Sequence, residues 1–326
     1  MEETVSALFS KDILHEAAGY FSLEIASLKE VGSFENYVFE AIQDGKPVIL
    51  RLTHSSHRSQ EQIESELDWL LYLHNHNAPV CPPYRSKNNK YIEQVQAGST
   101  YFYVSLFKKA SGTVTKLTNE SYNQNLAYDW GEATSLLHRL TKEYQCPEHI
   151  QKRPLLIDEF QQQFVPFIPQ DMLLLEKVNS VLKEIKQLSR ETGFGLIHSD
   201  IHSGNFFYDG EQLSIFDFDD CSYHHFAHDL AMPLYYTLWS STFNTEEDKE
   251  SFAKQFLEDF INGYQTQCPV SSEMYSQINL FLKLRDCELY GVFHKKLDMS
   301  SLTTKQEQLL SSIRERILTG NPIVTI

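Results

Sequence analysis

Three oxygen-bearing residues stand in an order that suits phosphoryl transfer. Asp200 and Asn205 lie in Leu196-Ile197-His198-Ser199-Asp200-Ile201-His202-Ser203-Gly204-Asn205, and Asp217 lies in Ile215-Phe216-Asp217-Phe218-Asp219-Asp220. A phosphoryl group leaving a nucleotide needs positioning and charge neutralisation more than covalent help. A carboxylate at Asp200 can take the proton of an attacking hydroxyl. Oxygen ligands at Asn205 and Asp217 suit the hard cation that neutralises the phosphates. His198 and His202 share the spacing of a helical metal site, but Ser203-Gly204 beside them favours a loop. His198 is therefore expected to hydrogen-bond the loop backbone.

These residues need elements to position them. The turn pair Asp209-Gly210 between residues 206–208 and 212–216 predicts a β-hairpin, which sets Asn205 before one strand and Asp217 at the end of its partner. Upstream, strands are expected at 23–30, 37–41 and 46–53, the last entered through Asp44-Gly45. A helix follows at 59–76, with Ile63, Leu67, Leu70 and Leu71 on one face, and Pro79, Pro82 and Pro83 end it. Residues 90–93 and 100–107 read as a further strand pair. After Gly112 the periodicity becomes helical, at 129–144, 172–188, 246–264, 274–296 and 305–318. The only strands expected in this second half are the two around the motif.

Composition narrows the partners. The 326 residues carry a formal charge of −16, which disfavours nucleic acid, and no apolar run is long enough to cross a bilayer. Five cysteines, Cys81, Cys146, Cys221, Cys268 and Cys287, include no C-x-x-C pair and point to reduced thiols in the cytoplasm. The acidic start, MEETVSALFSKDILHEAAGYF, lacks the basic opening and apolar block of a signal peptide. Either a monomer or a homodimer is compatible with these features.

The chain resembles the aminoglycoside phosphotransferase-like family, with its choline kinase-like, homoserine kinase-like and stress-kinase-like members. The resemblance covers about residues 15–300 and rests on the two stretches above and on His228-Asp229-Leu230-Ala231. It implies an α+β, protein-kinase-like two-lobed fold. A nucleotide-binding lobe at 1–107 would hold a small antiparallel sheet and one main helix, and a larger, mostly helical lobe at 108–326 would carry the catalytic loop and substrate site. By the same resemblance Asp200 is the catalytic base, Asn205 and Asp217 are magnesium ligands, and Asp229 steadies the catalytic loop. Gly32 and Ser33 fall in a phosphate-covering turn, Val31-Gly32-Ser33-Phe34-Glu35-Asn36. Arg51 stands where a protein kinase carries its phosphate-binding Lys, with Glu66 as its helical partner. The stretch ending in Leu106, Phe107 and Lys108 resembles the edge strand and hinge that bind adenine, with Ile49, Phe207 and Phe216 sandwiching the ring. Ser199 replaces the commoner Gly and is expected to need a slightly different backbone angle.

The implied activity is transfer of the γ-phosphoryl group of ATP, or GTP, with Mg2+, to a hydroxyl of a small molecule such as an aminoglycoside, choline or a homoserine-like alcohol. Asp219, Asp220, Tyr223 and Asp286 are candidate acceptor contacts, with His224, Glu288 and Tyr290 nearby, and a carboxylate wall would favour a cationic alcohol. The alternative for Asp219 and Asp220 is to finish the metal shell or pair with Arg285. Two other functions fit the fold. A pseudokinase is disfavoured by the intact Asp200, Asn205 and Asp217. A Ser/Thr protein kinase of the stress-kinase type is disfavoured by Asp217-Phe218-Asp219 in place of Asp-Phe-Gly, and by the lack of an activation loop ending in Ala-Pro-Glu.

Overall fold

A computed structural model describes residues 3–191 and 193–326; the first two residues of the acidic start lie outside the described residues, as does Thr192. The chain divides into two compact units. The first comprises Met1–Ser111, Tyr144–Arg153 and Ser214–Asp219, and the second comprises Gly112–Glu143, Pro154–Leu213 and Asp220–Ile326.

The first unit is an antiparallel sheet dressed with helices. Helices α1 (Glu3–Ser6) and α2 (Lys11–Tyr20) precede strands β1 (Lys29–Gly32), β2 (Tyr37–Gln43) and β3 (Lys46–His54). Helix α3 (Gln60–Asn75) follows, then β4 (Pro83–Tyr84), β5 (Glu93–Ala97) and β6 (Thr100–Lys108). The order is β1-β2-β3-β6-β4, with β5 also paired to β6. Strand pleating sorts the side chains of β3. Val48, Leu50 and Leu52 join Ala17, Ala18 and Phe21 in one core, while Ile49 and Arg51 point to the opposite face. Helix α3 starts where expected because Ser59 caps it: the Ser59 hydroxyl accepts the Gln62 N–H and the Gln62 side chain returns to the Ser59 N–H.

Three expectations for this unit change, the smallest being the strand expected at 90–93, which instead runs over Glu93–Ala97. The strand expected over 23–30 is a 3-10 turn, Ile25–Ser27, followed by the short β1. The Ser27 hydroxyl decides this, donating to the Glu24 carbonyl at 2.6 Å while accepting the Ile42 N–H at 2.8 Å. Strand β6 is not an edge: β3 lies on one side and β4 and β5 on the other, and the Lys108 N–H donates to the Pro82 carbonyl at 2.9 Å. The proline-rich segment that ends α3 turns back and covers it.

The second unit is mainly helical: α4 (Gln124–Glu143), α5 (Leu156–Gln163), α6 (Met172–Lys186), α7 (Phe226–Trp239), α8 (Glu246–Tyr264), α9 (Ser272–Lys296) and α10 (Thr304–Thr319). Helices α4 and α8 touch backbone to backbone. A Cβ on Gly131 would sit 1.9 Å from the Phe260 carbonyl oxygen, and one on Gly263 would sit 1.8 Å from that of Tyr128. Strands β7 (Phe194–Ile197) and β10 (Ser222–His225) pair antiparallel, a contact not expected from the sequence because the strands are four residues each and remote in the chain. Helix α7 also gave no periodic signal: its residues are nearly all buried and Pro233 stands inside it. Between β7 and β10 the chain forms the expected hairpin, β8 (Phe206–Tyr208) and β9 (Leu213–Ile215). The boundary between the units falls inside β9, so Ile215 and Asp217 belong with the first unit.

Candidate active site

In the second unit the loop after β7 is held by one buried carboxylate. Asp229, at the start of α7, accepts the backbone N–H of His198 at 3.1 Å and of Ser199 at 3.0 Å, and His138 Nε2 lies 3.2 Å away. Ser199 has a φ of 72°, the left-handed region that favours glycine. Its strain is held by the Asp229 bond, by its hydroxyl against Ser222 at 2.7 Å, and by its carbonyl, which lies 2.9 Å from His228 Nε2. His198 is fully buried and its Nδ1 accepts the Asp200 N–H at 3.4 Å, a backbone contact of the kind its sequence setting implied.

Asp200 therefore projects from a fixed loop. One carboxylate oxygen accepts Arg285 Nη2 at 2.6 Å; the other lies 3.4 Å from both His202 Nε2 and Asn205 Nδ2. Partial burial pushes this acid up, but the Arg285 and His202 charges outweigh it and hold it well below the usual carboxylate range. Asn205 Nδ2 also donates to the Asp200 carbonyl at 2.9 Å, so the carbonyl oxygen is what the Asn205 amide can offer a cation. An amide oxygen and carboxylates make a donor set suited to a hard divalent ion. Asp217, in the first unit, is exposed and has a φ of 63°, unusual for a residue with a side chain.

The first unit carries the basic counterpart. Arg51 Nη1 and Nη2 donate to the two Glu66 oxygens at 2.8 and 2.7 Å, with side chains 6% and 1% exposed. Burial pushes the guanidinium down, but Glu66, Asp219 and Asp217 outweigh it and keep it firmly charged. Its Nε–H is buried with no acceptor among the described residues, which leaves a donor for an oxygen-rich ligand. The guanidinium also lies 4.9 Å from the Phe107 ring centre. Gly32 ends β1 beside a register shift, and a Cβ there would meet only Val38 at 3.9 Å. Ser33 follows, half-buried, in the turn to β2. Ile49, Phe207 and Phe216 are half-buried, whereas their neighbours Leu50, Phe206 and Ile215 fill the core. Leu106 is buried and Phe107 half-buried.

Several residues expected near an acceptor have other partners. Asp219 is buried in the first unit, with His57 Nε2 at 2.6 Å, Asn36 Nδ2 at 3.3 Å and Arg58 Nε at 3.5 Å. It ties the turn before β2 to the start of α3. Asp286 is buried against Arg316 at 2.6 Å and the Tyr235 hydroxyl at 2.8 Å, which staples α9 to α10 and α7. His224 and Tyr290 are core residues. Tyr223 is half-buried in β10, and Asp220 is exposed. Glu288 stays beside the loop through Arg285, 3.0 Å away. The contact that sequence reasoning missed is that of Arg285 with Asp200. The sequence offers Arg285 only as an alternative partner for Asp219 or Asp220, and nothing in the spacing points it at the loop.

No helix among the described residues is long and apolar enough to cross a membrane. The profile of the APH phosphotransferase enzyme family matches residues 27–269. The chain is 30% identical to amicoumacin kinase of Bacillus subtilis (strain 168) over 327 aligned positions, covering 99% of this chain and 96% of that protein. Amicoumacin kinase hAmiN, solved with AMP-PNP, Ca2+ and Ami, superposes with a TM-score of 0.93 at 29% identity, covering 100% of this chain and 98% of that one. A microcompartment-associated aminopropanol kinase superposes with a TM-score of 0.74 at 17% identity over 95% of each chain, a likeness of fold.

Proposed function

The chain belongs to the phosphotransferase enzyme family, with its protein-kinase-like fold, and on that premise we propose that it is an amicoumacin kinase-like enzyme with amicoumacin, or an alcohol of the same kind, as acceptor. The reaction is ATP-dependent phosphorylation of a small-molecule hydroxyl. The acceptor oxygen bonds to the γ-phosphorus, the bond to the bridging oxygen of ADP breaks, and the hydroxyl proton goes to Asp200. Asp200 is the base, and its low basicity suits a loose transition state, in which the proton leaves late. Asn205 and Asp217 would hold Mg2+, which neutralises phosphate charge when bound. Arg51, fixed by Glu66, contacts the phosphates beneath the turn containing Gly32 and Ser33. Ile49, Phe107, Phe207 and Phe216 offer apolar surface to adenine, and backbone groups near Leu106–Lys108 other than the Lys108 N–H, which Pro82 takes, would meet its edge. Residues 1–107 would form the nucleotide-binding lobe and 108–326 the catalytic one, in a cytoplasmic monomer or homodimer with no nucleic acid or membrane partner.

The observation that carries the acceptor assignment is correspondence along the whole chain, in sequence as well as fold, with an amicoumacin kinase. The test is ADP release from ATP, and from GTP in parallel, with amicoumacin, an aminoglycoside, choline, homoserine and aminopropanol. Amicoumacin is expected to give the highest kcat/KM and to gain the mass of one phosphoryl group. Preference for another alcohol overturns the acceptor assignment; labelling of generic protein substrates instead would overturn the small-molecule reading.

A further inference from the structure

The groups around Asp200 have more to do than hold it. Arg285 comes from α9, 85 residues further along the chain, and reaches three partners at once: Asp200 at 2.6 Å, Glu288 at 3.0 Å and the Tyr236 hydroxyl. Its guanidinium carbon also lies 5.0 Å from the Tyr236 ring centre. All four residues belong to the second unit, so their arrangement is a property of that unit alone. The arrangement is incomplete: Arg285 Nε is buried without an acceptor among the described residues. A buried guanidinium with one orphan donor is not in a fully satisfied position. It already has an alternative partner in Glu288, whose side chain is 8% exposed, while Asp200 keeps 20% exposure and is open to a ligand.

We propose that Arg285 is a positioning residue that guards Asp200: without acceptor it occupies the carboxylate, and an entering acceptor hydroxyl displaces it from Asp200, leaving it on Glu288 and Tyr236. The physical need is clear. A kinase holding ATP can pass the phosphoryl group to water, forming a bond from the water oxygen to the γ-phosphorus, breaking the bond to ADP and giving a proton to the base. Water must find an unoccupied carboxylate oxygen to be activated this way. Arg285 blocks one oxygen with a charge-assisted bond, His202 and Asn205 stand 3.4 Å from the other, and a neutral water competes poorly for the carboxylate. An acceptor fixed by many contacts can supply the displacement from binding made elsewhere on the molecule. The inference rests on Asp200 being the base, and it adds a reason why ATP survives until the acceptor arrives.

The test is phosphate release from ATP with no acceptor, measured beside transfer to amicoumacin. Arg285→Met is expected to raise acceptor-free hydrolysis about tenfold, a fraction of what a general base contributes, while transfer falls less than hydrolysis rises. Glu288→Gln weakens the alternative partner, so it should do the reverse: hydrolysis unchanged or lower and acceptor KM raised. A merely structural role for Arg285 would depress hydrolysis and transfer together in Arg285→Met, and that result overturns the guard. If Arg285→Met does not fold, Glu288→Gln decides alone, because an unchanged acceptor KM there also overturns it. Asp200→Asn separates the two claims. If it still transfers phosphate, the reading of Asp200 fails and the guard with it. If it is inactive and Arg285→Met leaves hydrolysis unchanged, only the guard fails.

Discussion

Arg51 and Glu66 allow stability and function to be pulled apart. Each is buried, and each neutralises the other through two short bonds. Replacing Glu66 with Leu leaves a buried guanidinium without its main counter-charge, and breaking such a pair typically destabilises by about 3–5 kcal/mol. Asp219 and Asp217 also favour the charge on Arg51, which places the expected loss at the lower end, about 3 kcal/mol. That corresponds to about two decades in the exchange rate of the slowest amide protons of β3 and α3. The double variant Arg51→Met/Glu66→Leu removes both charges and both desolvation penalties, so its stability should return to near the wild-type value. Its nucleotide affinity should not return, since the phosphate-binding cation is gone. Hydrogen exchange measures the first quantity and the KM for ATP the second. A double variant with wild-type KM would refute the assignment of Arg51 to the phosphates. A Glu66→Leu variant with unchanged exchange would refute the view that the pair carries buried charge.

Asp229→Ala should leave the N–H groups of His198 and Ser199 without their acceptor and cost about 3 kcal/mol. Because Ser199 then loses what holds its left-handed backbone, kcat should drop more than the KM for ATP changes; a variant with intact kcat contradicts the account of the loop. Gly263→Ala drives a methyl into the Tyr128 carbonyl, so α4 and α8 must separate and thermal unfolding should move down by many degrees; an unchanged Tm would show the contact to be looser than drawn. Acid should weaken the fold in two stages. Burial holds His224 well below the ordinary imidazole range and pushes His225 down to about 4. The unfolded chain therefore takes up protons first as the pH drops below about 6.5, and stability falls by up to about 1.4 kcal/mol per pH unit for each group until the folded histidine also titrates. Asp200 and Asp229, held below the usual carboxylate range, add their loss only at lower pH, below about 4. A Tm that is flat from about pH 7 to about pH 5 contradicts the first stage.

What was legible in the sequence was local. Asp200, Asn205 and Asp217 announce themselves because a catalytic loop and a hairpin fix their separations in the chain. Arg51 and Glu66 are separated by one strand end and one capped helix start, so their pairing follows from element geometry. Ser199 stands in place of glycine, yet it takes the left-handed backbone that glycine favours, with a φ of 72°. Where a side chain overrode the pattern, as Ser27 does in turning the expected strand into a 3-10 turn, periodicity could not report it. The same holds for α7, whose apolar residues surround it on every side.

The chain by itself determined the reaction class, because the residues that define it are neighbours along the backbone. Tertiary structure alone decided who surrounds them. Asp219 and Asp286, which read as acceptor contacts, are bound by His57 and by Arg316, and Arg285, which read as an alternative partner for Asp219 or Asp220, rests on Asp200. A carboxylate carries no record in its own sequence context of which distant cation folding will bring to it. Charge pairs are settled by three-dimensional distance and desolvation, and neither is a property of the linear chain.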